Sequence, residues 1–147
     1  ETAIGLLEKG AALVADDSVL ISQVGGELTT RSKDFARGYL EMRGIGIINV
    51  ANLYGLSAIR PEKRLDLVVD LRPATDLNKV DRTGIKQKKF RILDIEIPLV
   101  EIPVAPGRDT ARLIGVAALD LQLRRIGYDM ADEFNRRLLE KMSEGGL

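Results

Sequence analysis

Between Ala11 and Val104 the apolar residues fall in short runs, each cut off by glycine, proline or charge. After Asp109 two capped stretches read as helices instead, the first following the helical period only in part and the second with one apolar stripe. This switch constrains the fold more than any other feature. It predicts strands over the first two thirds of the chain and two helices at its end, an α/β chain of the α+β-like kind, with sheet and helices. A length of 147 residues suffices for one domain with one proper core.

Glu1 to Lys9 places Ile4, Leu6 and Leu7 near one side ahead of Gly10, the pattern of the back end of a helix. No N-cap or loop comes before it, so the start of this domain is expected upstream of Glu1. Ala11 to Ala15 reads as a buried strand ending at Asp16-Asp17, and Val19 to Gln23 as another. Gly25-Gly26 marks a turn, with Glu27 to Thr30 completing a hairpin. Arg31 to Arg37 reads as a polar, mobile connection. From Leu40 to Val50 (LEMRGIGIINV) two glycines alternate with apolar residues, which predicts a strand with close backbone approach after Gly44.

Leu65 to Leu71 reads as a central strand and Pro73 to Lys89 as a charged loop. Arg91 to Val104 alternates around Pro98 and Pro103, suggesting two short strands. Asp109 or Thr110 caps a helix running to Ile126, with Gly127 as its stop. Apolar residues cover most of that helix, so it is expected to be deeply buried or to lie at a subunit contact. Asp129 caps a last helix through Met142, with Met130, Phe134, Leu138 and Met142 in one stripe.

Composition removes whole classes of chemistry. The chain has no Cys and no His. Thiolate nucleophiles, Ser-His-Asp catalysis and His- or Cys-ligated metals are excluded within it. Acid–base work falls to Asp, Glu, Lys or Tyr, and a metal site must be an oxygen site suited to Mg²⁺, Mn²⁺ or Ca²⁺. Lys+Arg and Asp+Glu are 22 each, so no basic excess points to nucleic acid. No apolar run approaches the roughly 20 residues of a membrane span. No secretory signal is visible, and the expected location is cytoplasmic.

Four segments carry candidate chemistry. Asp16-Asp17 follows an apolar run; such an acid holds Mg²⁺ or orients a nucleophile in nucleotide-binding domains, and it also suits a solvated turn. Glu41 stands beside Arg43, Gly44 and Gly46, as a hard-cation ligand next to a backbone that phosphate can approach, or as a surface Glu–Arg pair on a kinked strand. Asp81-Arg82, with Lys86, Lys88, Lys89 and Arg91, supplies cations for phosphoryl oxygens or a merely solvated loop. Pro103-Val104-Ala105-Pro106-Gly107-Arg108 leads into a helix N-terminus, an anion site or a plain strand-to-helix turn. Asp109 opposes an anion there unless it is occupied as the cap.

LVADD (Leu13 to Asp17), LEMRGIGIINV (Leu40 to Val50), VDRTG (Val80 to Gly84) and IPVAPGRD (Ile102 to Asp109) resemble, in order and spacing, the catalytic domain of the bacterial HPr kinase/phosphorylase family. VAALDLQLRRIGYDMADEF (Val116 to Phe134) is similar to the family's final helices, so the resemblance covers essentially the whole chain. It implies that residues 1–147 are a C-terminal catalytic domain with a phosphate-binding-loop kinase fold related to phosphoenolpyruvate carboxykinase. It implies phosphorylation of a regulatory serine of HPr, the phosphocarrier of the sugar phosphotransferase system, from ATP or pyrophosphate with Mg²⁺. It also implies phosphorolysis of phosphoserine-HPr to pyrophosphate by phosphate, a role in carbon catabolite regulation, and a homohexamer.

By position in the resemblance, Asp17 is the proton acceptor for kinase action and the donor in reverse. Glu41 is a Mg²⁺ ligand, with Asp16 a further candidate, and Arg82 is a catalytic arginine. Leu40, Glu41, Met42, Arg43, Gly44, Ile45, Gly46, Ile47, Ile48 and Asn49 form the element needed for both activities. Pro103, Val104, Ala105, Pro106, Gly107 and Arg108 form the segment needed chiefly for dephosphorylation.

The family's phosphate-binding loop and the strand feeding it are expected immediately before Glu1, behind a separate N-terminal domain. Residues 1–147 alone are therefore expected not to turn over ATP. Asp109 stands where the family usually has Asn. The alternatives are a carboxykinase-like small-molecule phosphotransferase, and a non-catalytic oligomerisation or interaction module.

Overall fold

A computed structural model describes residues 1–73 and 87–145. In chain order these carry α1 (Thr2–Glu8), β1 (Leu20–Val24), β2 (Glu27–Arg31), β3 (Tyr39–Met42), β4 (Gly46–Asn49), α2 (Val50–Tyr54), β5 (Glu62–Arg64), β6 (Val68–Pro73), β7 (Lys88–Ile92), β8 (Ile95–Val104), α3 (Thr110–Arg125) and α4 (Met130–Glu144). The strands form a three-stranded sheet β1-β2-β5, a hairpin β3-β4 and a three-stranded sheet β6-β8-β7. The fold is thus mixed α/β, with sheets and four α-helices among the described residues.

The chain divides into two compact units, residues 1–68 with 90–97, and residues 69–89 with 98–147. In the first, α1 ends as Gly10 predicts. Gly10 adopts φ +94°, and the Ala11 N–H reaches back to the Leu6 carbonyl, which satisfies a terminal acceptor. The β1–β2 hairpin also forms as expected. Val24 pairs with Glu27 across Gly25 and Gly26, both at positive φ, the two-residue turn that matches strand twist.

The core of this unit gathers Leu7, Leu40, Val50 and Ala58, with Ile4, Leu13, Ile48, Tyr54 and Ile59 packed around them. Leu40 and Val50 bracket the LEMRGIGIINV element, so burial fixes both of its ends. Asn49 caps α2 by accepting the Asn52 N–H at 3.1 Å.

Several expectations are corrected. Ala11 to Ala15 is no strand; it makes a single parallel bridge, Leu13 to Ile59. Its apolar character serves packing rather than a ladder. The strand expected after Gly44 forms as β4, but it is one arm of a hairpin with β3 that turns at Arg43-Gly44, where Ile45 N–H bonds the Met42 carbonyl. Gly44 (φ +84°) and Gly46 (φ +107°) meet the demands of that turn, and a Cβ on either would have no atom within 4 Å. Conformation, not close approach within this chain, requires them.

Among the described strands, β6, expected to be central, stands at the end of its sheet and β8 in the middle. An apolar run reports burial of both faces, not lateral position. Arg91 to Val104 supplies the end of β7 and the single ten-residue β8, because proline removes a donor yet keeps the chain extended. The hairpin between them turns at Leu93-Asp94, both at positive φ. Arg31 to Arg37 contains a short 3₁₀ turn, Asp34–Ala36, and buries Ser32.

In the second unit α3 is capped by Asp109 and α4 by Asp129, as expected. Deep burial of α3 is not observed, and only Ala111 is buried on it. The α4 stripe is exposed, Phe134 at 69%. Helix periodicity sets which residues share a face but not whether anything in the same chain covers it.

Candidate active site

Asp16 is positioned by what comes before it. Leu13 donates its N–H to the Ala58 carbonyl at 2.7 Å, and its own carbonyl accepts the Arg60 N–H at 2.8 Å. The chain then bends through Asp16 and Asp17, both exposed. Glu41 is positioned by Leu40, whose side chain is 4% exposed. Alternation along β3 turns Glu41 to the other face, across from Ile47 of β4.

These two anchored segments meet. The Glu41 backbone N–H donates to Asp16 Oδ2 at 2.9 Å. β4 pairs with one edge of β3; the Asp16 carboxylate satisfies a donor of β3 with a charge-assisted bond. Asp17, the next residue, makes no side-chain hydrogen bond among the described residues. No ion pair joins Glu41 to Arg43 among them either, so the surface-pair reading of that spacing is not realised.

Asp16 and Glu41 present hard oxygen donors, one holding the other's backbone. No group of three or more candidate ligands for a metal ion occurs among the described residues. Exposed carboxylate donors of this kind would suit Mg²⁺, which takes few protein ligands, rather than an ion needing an all-protein cage.

The Asp81-Arg82 pair and Lys86 lie outside the described residues. The cations that follow are less free than the sequence suggests. Lys88 bonds Glu101, and Arg91 bonds Asp94 at 3.2 Å. Lys89 lines an open cavity of about 350 Å³ in the second unit, together with Arg124 and Arg125.

Pro103 to Arg108 ends β8 and turns. Arg108 N–H bonds the Ala105 carbonyl at 3.1 Å, with Pro106 and Gly107 (φ +83°) at the two central positions. Proline then glycine is what a type II turn demands. Arg108 is exposed. Asp109 accepts the Arg112 N–H at 3.0 Å and sits 3.6 Å from the Arg112 guanidinium. Its carboxylate is therefore occupied as the cap, which lessens its opposition to an anion at this turn.

Glu101 was not among the sequence candidates. It lies on β8 with its side chain 12% exposed, between Lys88 and Arg72, the latter 3.7 Å away. The Lys88 hydrogen bond, opposed by partial burial and helped by the charges of Lys88 and Arg72, holds its carboxyl below the ordinary value. An acidic residue deep in a mostly apolar strand, with Glu96 the other acid in it, was the available signal.

Residues 1–138 match the family described as HPr Serine kinase C-terminal domain. The chain belongs to the HPr serine kinase C-terminal domain family. Among relatives of this family, the HPr kinase/phosphorylase of Geobacillus thermodenitrificans is 42% identical over 146 residues, 99% of this chain and 47% of the relative. That of Treponema pallidum is 42% identical over 98% of this chain and 46% of its own length. The one from Chloroherpeton thalassium is 40% identical over 97% and 42%.

The chain thus spans about half the length of the curated relatives it matches. A solved structure, the Hpr(Ser) kinase/phosphatase from Coxiella burnetii, superposes with a TM-score of 0.79 at 29% identity, covering 90% of this chain and 81% of that one. No helix among the described residues is long and apolar enough to cross a membrane.

Proposed function

We propose that this chain is the C-terminal catalytic domain (residues 1–147) of a cytoplasmic, Mg²⁺-dependent protein serine kinase/phosphorylase. It transfers phosphate from ATP or pyrophosphate to a regulatory serine of HPr, and in the other direction phosphate attacks phosphoserine-HPr to give pyrophosphate. Its place is carbon catabolite regulation. The observation that carries the reading is the Asp16–Glu41 contact, formed in a chain whose relatives carry that activity in their names.

Both directions move a phosphoryl group between oxygens, so the protein's task is positioning and charge neutralisation. Glu41 would hold Mg²⁺, which would supply charge neutralisation to the phosphoryl group when bound, and Arg82 would stabilise the charge that spreads over the transferring group. A carboxylate of the Asp16-Asp17 pair accepts the serine proton as the new bond forms and returns it in reverse. Position in the resemblance gives this role to Asp17. The 2.9 Å bond favours Asp16 as a second reading, because only that carboxylate is fixed against Glu41. Leu40 to Asn49 serves both directions, and Pro103 to Arg108 chiefly the dephosphorylation.

The phosphate-binding-loop fold related to phosphoenolpyruvate carboxykinase, and assembly as a homohexamer, belong to the same proposal. Exposed Val116 and Leu119 on α3, and the Phe134 stripe on α4, supply apolar area that a subunit contact would bury.

The test uses the full gene product with Mg²⁺ and terminally labelled ATP. Label on a serine of HPr supports the proposal, as does pyrophosphate release when phosphate is added to phosphoserine-HPr. Label on a small metabolite instead supports the carboxykinase-like alternative, and no transfer at all supports a non-catalytic module.

A further inference from the structure

In the sheet β6-β8-β7, the strands β6 and β7 do not touch; β8 lies between them. Residues 74–86, which include Arg82, connect the end of β6 to the start of β7. The two ends of that connection therefore stand on opposite edges of the sheet. One side chain reaches both. The Oε2 of Glu101, on β8, is 3.7 Å from Nε of Arg72, the penultimate residue of β6. Its Oε1 accepts a hydrogen bond from Nζ of Lys88, the first residue of β7. Among the described residues, Asp70 also faces this cluster, its Oδ2 lying 3.3 Å from the Arg72 guanidinium.

We propose that Glu101 is a positioning residue, whose carboxylate ties the last turn of chain before residue 74 to the first after residue 86, and thereby fixes both anchors of the segment carrying Arg82. Backbone ladders hold strands side by side, but they leave the ends of edge strands free to fray. A shielded carboxylate joined to a cation from each edge resists that fraying at the place where it matters. With the carboxylate gone, the one side chain that joins Arg72 to Lys88 is lost, and the two anchors are no longer tied to each other through β8. An arginine that must meet a transferring phosphoryl group tolerates little displacement, since misplacement by an ångström costs about a hundredfold in rate.

The inference rests on Arg82 being the catalytic arginine, and the experiment separates the two ideas. Glu101→Gln, Arg82→Lys and the double variant are made in the full gene product, and kcat and KM are measured for phosphate transfer to HPr. Glu101→Gln is expected to lower kcat about tenfold or more with KM for ATP little changed. In the Arg82→Lys background the same change is expected to have almost no further effect, because the residue acts through Arg82. Glu101→Asp is expected to restore part of the loss.

An equal loss from Glu101→Gln in both backgrounds, or none in the parent, overturns the inference. A near-normal Arg82→Lys enzyme instead overturns the role of Arg82, and this inference with it. Lys88→Gln breaks one arm at an exposed position, and it is expected to repeat the pattern at smaller size should Glu101→Gln fold poorly. A Lys88→Gln loss that persists unchanged in the Arg82→Lys background also overturns the inference.

Discussion

Replacing Asp16 and Asp17 one at a time by Asn separates the two assignments for proton transfer. Asn at position 16 keeps an oxygen that can accept the Glu41 N–H and removes only the charge. A hydrogen bond to a charged group is worth about 1.5–3 kcal/mol, and a neutral one about 0.5–1.5. The difference, about 1 kcal/mol, bounds the stability cost from above, because both residues are exposed and water competes.

The kinetic cost is larger if this carboxylate takes the serine proton. General-base catalysis contributes about 10²-fold or more, which is about 2.7 kcal/mol of transition-state free energy. On the second reading, Asp16→Asn is expected to unfold in urea within about 1 kcal/mol of the parent, while transfer to HPr falls about a hundredfold; on the assignment by position, that loss falls on Asp17→Asn instead. Asp17→Asn, whose carboxylate has no partner fixing it to Glu41, is expected on the second reading to lose less. Initial rates at saturating Mg·ATP, read beside urea unfolding curves, give both quantities. Near-normal turnover by Asp16→Asn with a crippled Asp17→Asn would refute the second reading and support the assignment by position. Loss of activity in step with loss of stability would refute it too.

Leu40→Ala removes a nearly fully buried side chain that holds the strand bearing Glu41, and it should cost about 2–5 kcal/mol in urea unfolding; a cost under about 1 kcal/mol would show that the element is anchored elsewhere. Acid should weaken the fold through Glu101 and Glu133, held below the ordinary value of 4.5 chiefly by hydrogen bonds from Lys88 and Arg136. Because their folded-state values are depressed, their contribution is present above about pH 4.5 and fades as pH falls through those values. The double variant Glu101→Gln, Glu133→Gln should flatten unfolding free energy between about pH 5 and pH 3, and an unaltered acid slope would remove both residues from this role.

Local chemistry in this chain could be read from sequence, because it depends on near neighbours. Gly25-Gly26, Gly10, Asp109 and Asp129 each dictate a turn, a stop or a cap through backbone sterics or a hydrogen bond spanning a few residues, and each does so in the structure. The order and spacing of LVADD and LEMRGIGIINV likewise carried the family, since spacing along a chain is a property of sequence. Only the tertiary structure decided which of two adjacent aspartates meets Glu41, a contact between residues 25 apart in the chain.

Tertiary structure also decided that β8, not β6, is the middle of the three described strands, that β8 runs unbroken through its prolines, and that Glu101 bridges two strands. The reason is common to all of these. Periodicity and capping encode which face a residue takes within its own element. Lateral order in a sheet and the partner of a side chain depend on packing between segments far apart in sequence, which no local pattern contains.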